Sequence, residues 1–200
     1  MGNAATSLPY DVGECEESLG SVKWSLHQGN KKQNGEPVSV LRFSKKGAGR
    51  ETDMAINLFK SLKTLRHPHI LAFMDGMDND TECSIVTEPV VTLQSLLLKG
   101  EVSQESAAWG LHCVLQALGF VNESCMLVHG NICPESIFVT RGGDWKLGGF
   151  YLSGPLDTSG PNLLFREWSH ILPNKYKSPE VSLLLPCLEM FLNTCTENKE

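Results

Sequence analysis

The chain has 200 residues, a net charge of −6, 41% apolar and 20% charged residues. That composition suits one domain or two small lobes around a real core and is unlike that of a disordered chain. The acidic balance gives it no general electrostatic attraction to nucleic acid, and no apolar run reaches a membrane-spanning length.

The chain opens with MGNAAT. This fits the N-myristoylation pattern, with Gly2 exposed after Met removal and Thr6 at the Ser/Thr position. A single acyl chain anchors only marginally, so a second contact with membrane or partner is needed. Seven cysteines (Cys15, Cys83, Cys113, Cys125, Cys133, Cys187 and Cys195) form no C-x-x-C pair. With no apolar leader core at the N-terminus, they predict free thiols in a reducing, cytoplasmic setting. Cys and His are not clustered at metal-ligand spacing, so no metal is expected.

Residues 21–43 predict a hairpin, two alternating segments around the turn Asn34-Gly35. Residues 50–65 place Met54, Leu58, Leu62 and Leu65 at helical spacing. RHPHILAFMDGM begins with a Pro stop and continues as a strand, and CSIVTEPV is a strand that breaks at Pro89. TLQSLLLK predicts a short helix. Residues 103–122 predict the longest helix, with Ser103 and Ser106 as candidate caps and Leu111, Val114, Leu115, Leu118 and Val121 as its apolar face. SIFVT and DWKLGG form a second hairpin around Arg141-Gly142-Gly143. Residues 152–176 read as a surface loop, and an apolar tail interrupted by Pro186 follows. The order of elements predicts an α+β protein of two unequal lobes.

In that order, RHPHILAF, IVTEPV, VHGNICPESIFV, WKLGGFY and KYKSPE resemble landmarks of a protein kinase domain. They stand for the turn before the fourth strand, the fifth strand and hinge, the H-R-D-L-x-x-x-N loop, the D-F-G segment and A-P-E. LPYDVGE, WSLHQG, NGEPVSVLRF, AWGLH, LVHGNIC and DWKLGG narrow the resemblance to the Scy-like pseudokinases. The resemblance implies a bilobal kinase-like fold. Residues 1–91 would form an antiparallel-sheet lobe with one helix and a flexible N-terminus, and 92–180 an incomplete, mainly helical lobe. Residues 181–200 would be an atypical apolar tail, where a kinase fold continues through further helices. It also implies scaffold work in Golgi and endosomal vesicle traffic, with trafficking or coat proteins as partners and peripheral membrane contact through a Gly2 acyl group.

Laid on the kinase pattern, the groups that phosphoryl transfer requires are replaced. Leu41 stands at the phosphate lysine and Leu58 at the glutamate that orients it, so both members of an ion pair are apolar. Arg42 and Lys23 should point away from Leu41 by strand alternation. Asn131 replaces the base aspartate, and an amide cannot take a proton as a carboxylate does. Ser136 replaces the metal-binding asparagine, and Gly149 the main metal-binding aspartate. If Gly20-x-Val22 ends the phosphate loop, two of its glycine positions fall on Cys15 and Glu17, and Glu16 and Glu17 repel phosphate. ATP binding is therefore expected to be weak or absent. What remains is an adenine contact at the hinge, Glu88, Pro89 and Val90. His129 should brace the loop, Cys133 should be an inert thiol, and Trp109 and Trp145 should face the core or the other lobe. Three readings stay open: a catalytically inactive scaffold, a weak nucleotide binder or residual kinase, and a truncated isoform with little function of its own.

Overall fold

The computed structural model of the chain describes residues 8–19, 23–49 and 51–156. Gly2, Cys187, Cys195, most of the expected loop and the 181–200 tail lie outside the described residues.

Three consecutive strands come first among the described residues: β1 (Tyr10–Leu19), β2 (Trp24–Lys31) and β3 (Pro37–Ser44). Gly35, at φ +70°, makes the tight turn between β2 and β3. With β4 (Phe73–Asp78) and β5 (Glu82–Thr87) they form an antiparallel sheet in the order β1-β2-β3-β5-β4. Alternation along β3 sorts its side chains. Val38 and Val40 pack outward with Tyr10 and Val86, while Leu41 and Phe43 join Trp24, Leu26 and Ile85 in the main core.

Helix α1 (Glu51–Thr64) lies against β4 and β5. Its apolar stripe, Met54, Leu58 and Leu62, is buried, as is Leu65 just beyond its end. Glu51 and Asp53 in the first turn and Lys63 in the last complement the helix dipole. Strand β6 (Val90–Thr92) then leads into α2 (Leu93–Lys99). The Thr92 hydroxyl caps α2 by accepting from the Ser95 N–H at 3.1 Å.

Helix α3 (Gln104–Gly119) starts at Ser103, whose hydroxyl accepts from the Ser106 N–H, so Ser103 and not Ser106 is the cap. One π-turn (Phe120–Ser124) extends it. Strands β8 (Ile137–Thr140) and β9 (Trp145–Leu147) form the expected hairpin and pair with β6 in the order β6-β8-β9. Two short strands, β7 (Leu127–Val128) and β10 (Gly154–Pro155), pair with each other.

The structure corrects the buried face of α3. Gly110, Cys113, Val114, Ala117 and Val121 face the core, whereas Leu111 and Leu115 are 59% and 66% exposed. The reason is the indole of Trp145 on β9, which lies where a Cβ on residue 110 would stand. The helix therefore turns its small residues, not its leucines, toward the hairpin. Trp145 is buried as expected, but Trp109 is half-exposed and donates from Nε1 to Asp144 Oδ1. Gly110→Ala should destabilise the protein by about 1–3 kcal/mol through overpacking, although alanine is the better helix former. A thermal melt with an unchanged or raised midpoint would contradict this packing.

Candidate functional site

The segment after β7 turns on His129, which is buried. Its Nδ1 accepts from the Asn131 N–H at 3.2 Å, so Nε2 carries the proton and donates to the Gly148 carbonyl at 2.7 Å. The Phe150 ring meets its edge at 4.5 Å between centroids. Burial holds the imidazole down at about 4, partly opposed by its bond to Gly148. A neutral ring that joins two loops is a brace.

The neighbouring polar groups are also consumed. Asn131, fully buried, donates from Nδ2 to the Gly149 carbonyl at 3.1 Å, and its Oδ1 accepts from the Cys133 thiol. The Ser136 hydroxyl donates to the Cys133 carbonyl at 2.8 Å and accepts from the Cys133 N–H at 3.1 Å. Gly149, at φ +67°, sits so close that a Cβ there would lie 2.5 Å from Ser136 Cβ and 2.9 Å from Asn131 Nδ2. Burial, then Glu135, pushes the Cys133 thiol up to about 11, so it is protonated and unreactive at neutral pH.

Leu41 and Leu58 are both buried in the main core. The two basic residues weighed as substitutes are engaged elsewhere, Lys23 with Glu51 at 3.0 Å and Arg42 with Glu82 at 3.7 Å. Among the described residues no group of His, Cys, Asp or Glu has the arrangement of a metal site.

The hinge strand is closed from within. The Val90 N–H donates to Ser39 Oγ at 2.9 Å, and Gln28 Nε2 donates to the Val90 carbonyl at 2.9 Å. The Ser39 hydroxyl has two acceptors in reach, Gln28 Oε1 (3.1 Å) and the Val90 carbonyl (3.2 Å). Pro89 has no N–H. Glu88 accepts from the Ala72 N–H and faces Lys146 at 3.9 Å. Glu17 on β1 crosses to the buried Thr92 and accepts from its hydroxyl at 2.6 Å.

A family description of protein tyrosine and serine/threonine kinases matches residues 12–184. The chain is 40% identical over 180 residues to a probable inactive serine/threonine-protein kinase scy1 of Dictyostelium discoideum. That match covers 89% of this chain and 22% of the relative. It is 30% identical over 222 residues to the mouse SCY1-like protein 2, covering 94% of this chain and 24% of that protein. A mouse protein associating with the carboxyl-terminal domain of ezrin is 32% identical over 155 residues, 75% of this chain and 20% of its own length. The chain belongs to the protein kinase family, on its Scy1-like branch. It spans about a quarter or less of these three relatives.

In this Scy1-like chain the segments laid on the kinase landmarks come together in space. The β5–β6 hinge, the His129 loop and the β8–β9 hairpin are assembled around one core, and the structure brings Asn131, Ser136 and Gly149 together. Leu41 and Leu58 pack in that same core on β3 and α1. Sequence reasoning missed the residues that fasten the frame. Gln28, Ser39 and Thr92 close the hinge side, and Glu17, expected to repel phosphate, is instead bonded to Thr92. On α1, Asn57 Nδ2 reaches the carbonyls of Phe150, Tyr151 and Ser153 at 3.2, 3.1 and 2.8 Å. Asn57 and Ser61, two polar residues one turn apart at the edge of the apolar stripe, were the signal available, and both reach Ser153. Strand β1 was hidden because its acidic stretch lacks alternation and its register is broken by two bulges.

The brace carries a pH dependence. His129 is neutral in both states well above its ordinary value of 6.5. As the pH falls below 6.5 the unfolded chain gains a proton that the folded chain resists until about 4. The stability is therefore present above 6.5 and is lost as the pH falls toward 4, by up to about 3 kcal/mol. Urea midpoints for the wild type and His129→Gln should converge on acidification. Parallel pH profiles would rule out the buried neutral imidazole as their source.

Proposed function

We propose that this chain is a catalytically inactive, kinase-fold scaffold that acts by presenting its surface to other proteins. The observation that carries the reading is that the residues laid on the transfer positions are side chains the fold itself uses. Leu41 and Leu58 belong to the core, and Asn131 and Ser136 have their hydrogen bonds taken within the loop. Phosphoryl transfer depends on placed charge and metal, and a side chain locked into the core supplies neither. The name of the Dictyostelium relative, a probable inactive kinase, supports the same reading. So does the mouse relative named for associating with another protein.

The finer assignment extends the resemblance. The scaffold would serve Golgi and endosomal vesicle traffic from the cytoplasmic side, with coat or trafficking proteins as partners, no nucleic acid, and Gly2 acylation as one of two membrane contacts. Residues 1–91 and 92–180 would be its two lobes and 181–200 an appended tail. Mg-ATP would bind no more tightly than the high-micromolar range, and Mg²⁺ would make no difference, because neither cation nor metal ligand faces the phosphates.

Calorimetric titration of ATP with and without Mg²⁺, alongside transfer of labelled γ-phosphate to a generic protein substrate, tests the inactive reading. Low-micromolar, Mg²⁺-dependent binding with transfer would overturn it. Intact mass after co-expression with a myristoyl transferase should show one added C14 acyl group that Gly2→Ala abolishes. Pull-downs with that site intact and mutated would then separate membrane-dependent partners from the rest.

A further inference from the structure

Val90 is almost wholly buried, and both of its backbone polar groups are satisfied by side chains from the sheet above it. Ser39 stands one hydrogen bond from the Val90 nitrogen, 2.9 Å. A ring nitrogen cannot reach the Val90 N–H while the Ser39 oxygen holds it at that distance. In front of this contact lies an open cavity of about 670 Å³, with Val12, Gln28, Pro89, Val90 and Val139 among its walls. Its size is within the range of small-molecule pockets. Gln28 is thus at once a wall of the cavity and the donor to Val90.

We propose that Gln28 and Ser39 form an internal stopper that fills the donor–acceptor edge of Val90 and excludes a purine-like heterocycle from the cavity in front of it. The inference rests on the inactive reading of the cleft and adds a residue-level cause for nucleoside exclusion. The Ser39 oxygen takes the Val90 N–H, as a ring nitrogen would. The Gln28 carboxamide gives its N–H to the Val90 carbonyl, as an exocyclic amine would. Glu17, which accepts from the Thr92 hydroxyl, ties β1 to the end of the same hinge strand. Cutting Ser39 and Gln28 back to alanine leaves a buried donor and a buried acceptor unpaired. Such groups favour any ligand that presents the matching pair. It also joins the space of the Gln28 side chain to the cavity.

The probe is adenosine, which carries no phosphate and so does not depend on the missing cation or metal ligands. In the wild type the Val90 amide should exchange slowly with solvent deuterium and adenosine should not bind measurably. In Ser39→Ala that amide should exchange about tenfold faster or more, a loss of about 1.4 kcal/mol of protection. Gln28→Ala/Ser39→Ala should bind adenosine at least about tenfold more tightly than the wild type. Equal adenosine binding by wild type and double variant overturns the stopper, and so does a folded double variant that binds none. Should the double variant fail to fold, Gln28→Ala alone is compared with the wild type under the same criterion. Phosphate transfer by the opened variant would overturn the inactive reading and leave the stopper standing. Adenosine binding without transfer supports both.

Discussion

Leu58→Glu should lower stability by about 3–5 kcal/mol, the cost of leaving a buried charge without a partner. For a domain of this size that is a fall of roughly 10 °C in melting midpoint. Leu58 is 3% exposed on α1, within the core that also holds Leu41, itself 1% exposed. A glutamate there has two routes. It ionises within an apolar core, with Lys23 and Arg42 held by Glu51 and Glu82, or it stays protonated and buries a carboxyl among aliphatic carbons. Both are unfavourable. Adding Leu41→Lys supplies an opposite charge from β3 and should recover part of the loss, though not all, because both ions remain desolvated. Leu58→Met, which conserves volume, should cost less than about 1.5 kcal/mol. The decisive comparison is the double-mutant cycle by urea unfolding. If Leu58→Glu leaves the midpoint where it was, or if Leu41→Lys makes it worse, the two leucines do not face a common site.

Gly149→Asp places a carboxylate where the kinase resemblance puts the main metal ligand, and it should damage the protein without creating metal binding. The backbone there is left-handed, at φ +67°, which costs an L-residue about 1–2 kcal/mol, somewhat less for aspartate. The new Cβ would stand 2.5 Å from Ser136 Cβ and 3.1 Å from Ser136 Cα. Asn131 and Ser136 cannot simply give way, because their hydrogen bonds join the loop to Cys133 and Gly149. Overpacking adds about 1–3 kcal/mol, so the sum is about 2–5 kcal/mol before the buried charge is considered. Gly149→Ala separates the steric part from the charge. Melting curves with and without 10 mM Mg²⁺, roughly a hundredfold excess over a tight site, should coincide for Gly149→Asp. A Mg²⁺-dependent rise in midpoint would show that the site remains open to metal and that the refilled geometry is wrong.

Much of the fold was legible because its elements carry local signals. The Asn34-Gly35 turn, the four-residue spacing of Met54, Leu58 and Leu62, Ser103 before the longest helix, and the Arg141-Gly142-Gly143 turn each specify structure from a few neighbouring residues. The short strands β6, β7 and β10 were not legible, since two or three residues hold no period and exist only through distant partners. The face of α3 was misread for a related reason. Hydrophobicity ranks Leu111 and Leu115 above Gly110 and Ala117, but which side of a helix is buried depends on the shape of what it meets. Here that is the Trp145 ring.

The sequence by itself determined which residue types stand where the kinase resemblance puts the charges of phosphoryl transfer. Leu41, Leu58, Asn131, Ser136 and Gly149 keep their positions among recognisable landmarks, and residue identity is enough to say that none is a lysine or a carboxylate. Only the tertiary structure decided what stands in their stead. Whether a lost charge leaves a vacancy or a packed, hydrogen-bonded interior depends on contacts between residues far apart in the chain: Ser39 with Val90, Glu17 with Thr92, His129 with Gly148 and Asn57 with Ser153. Sequence spacing carries no information about such pairs, because each is set by how a strand, a hinge and a loop close on one another. A buried polar group must then take whatever partner that closure brings within reach.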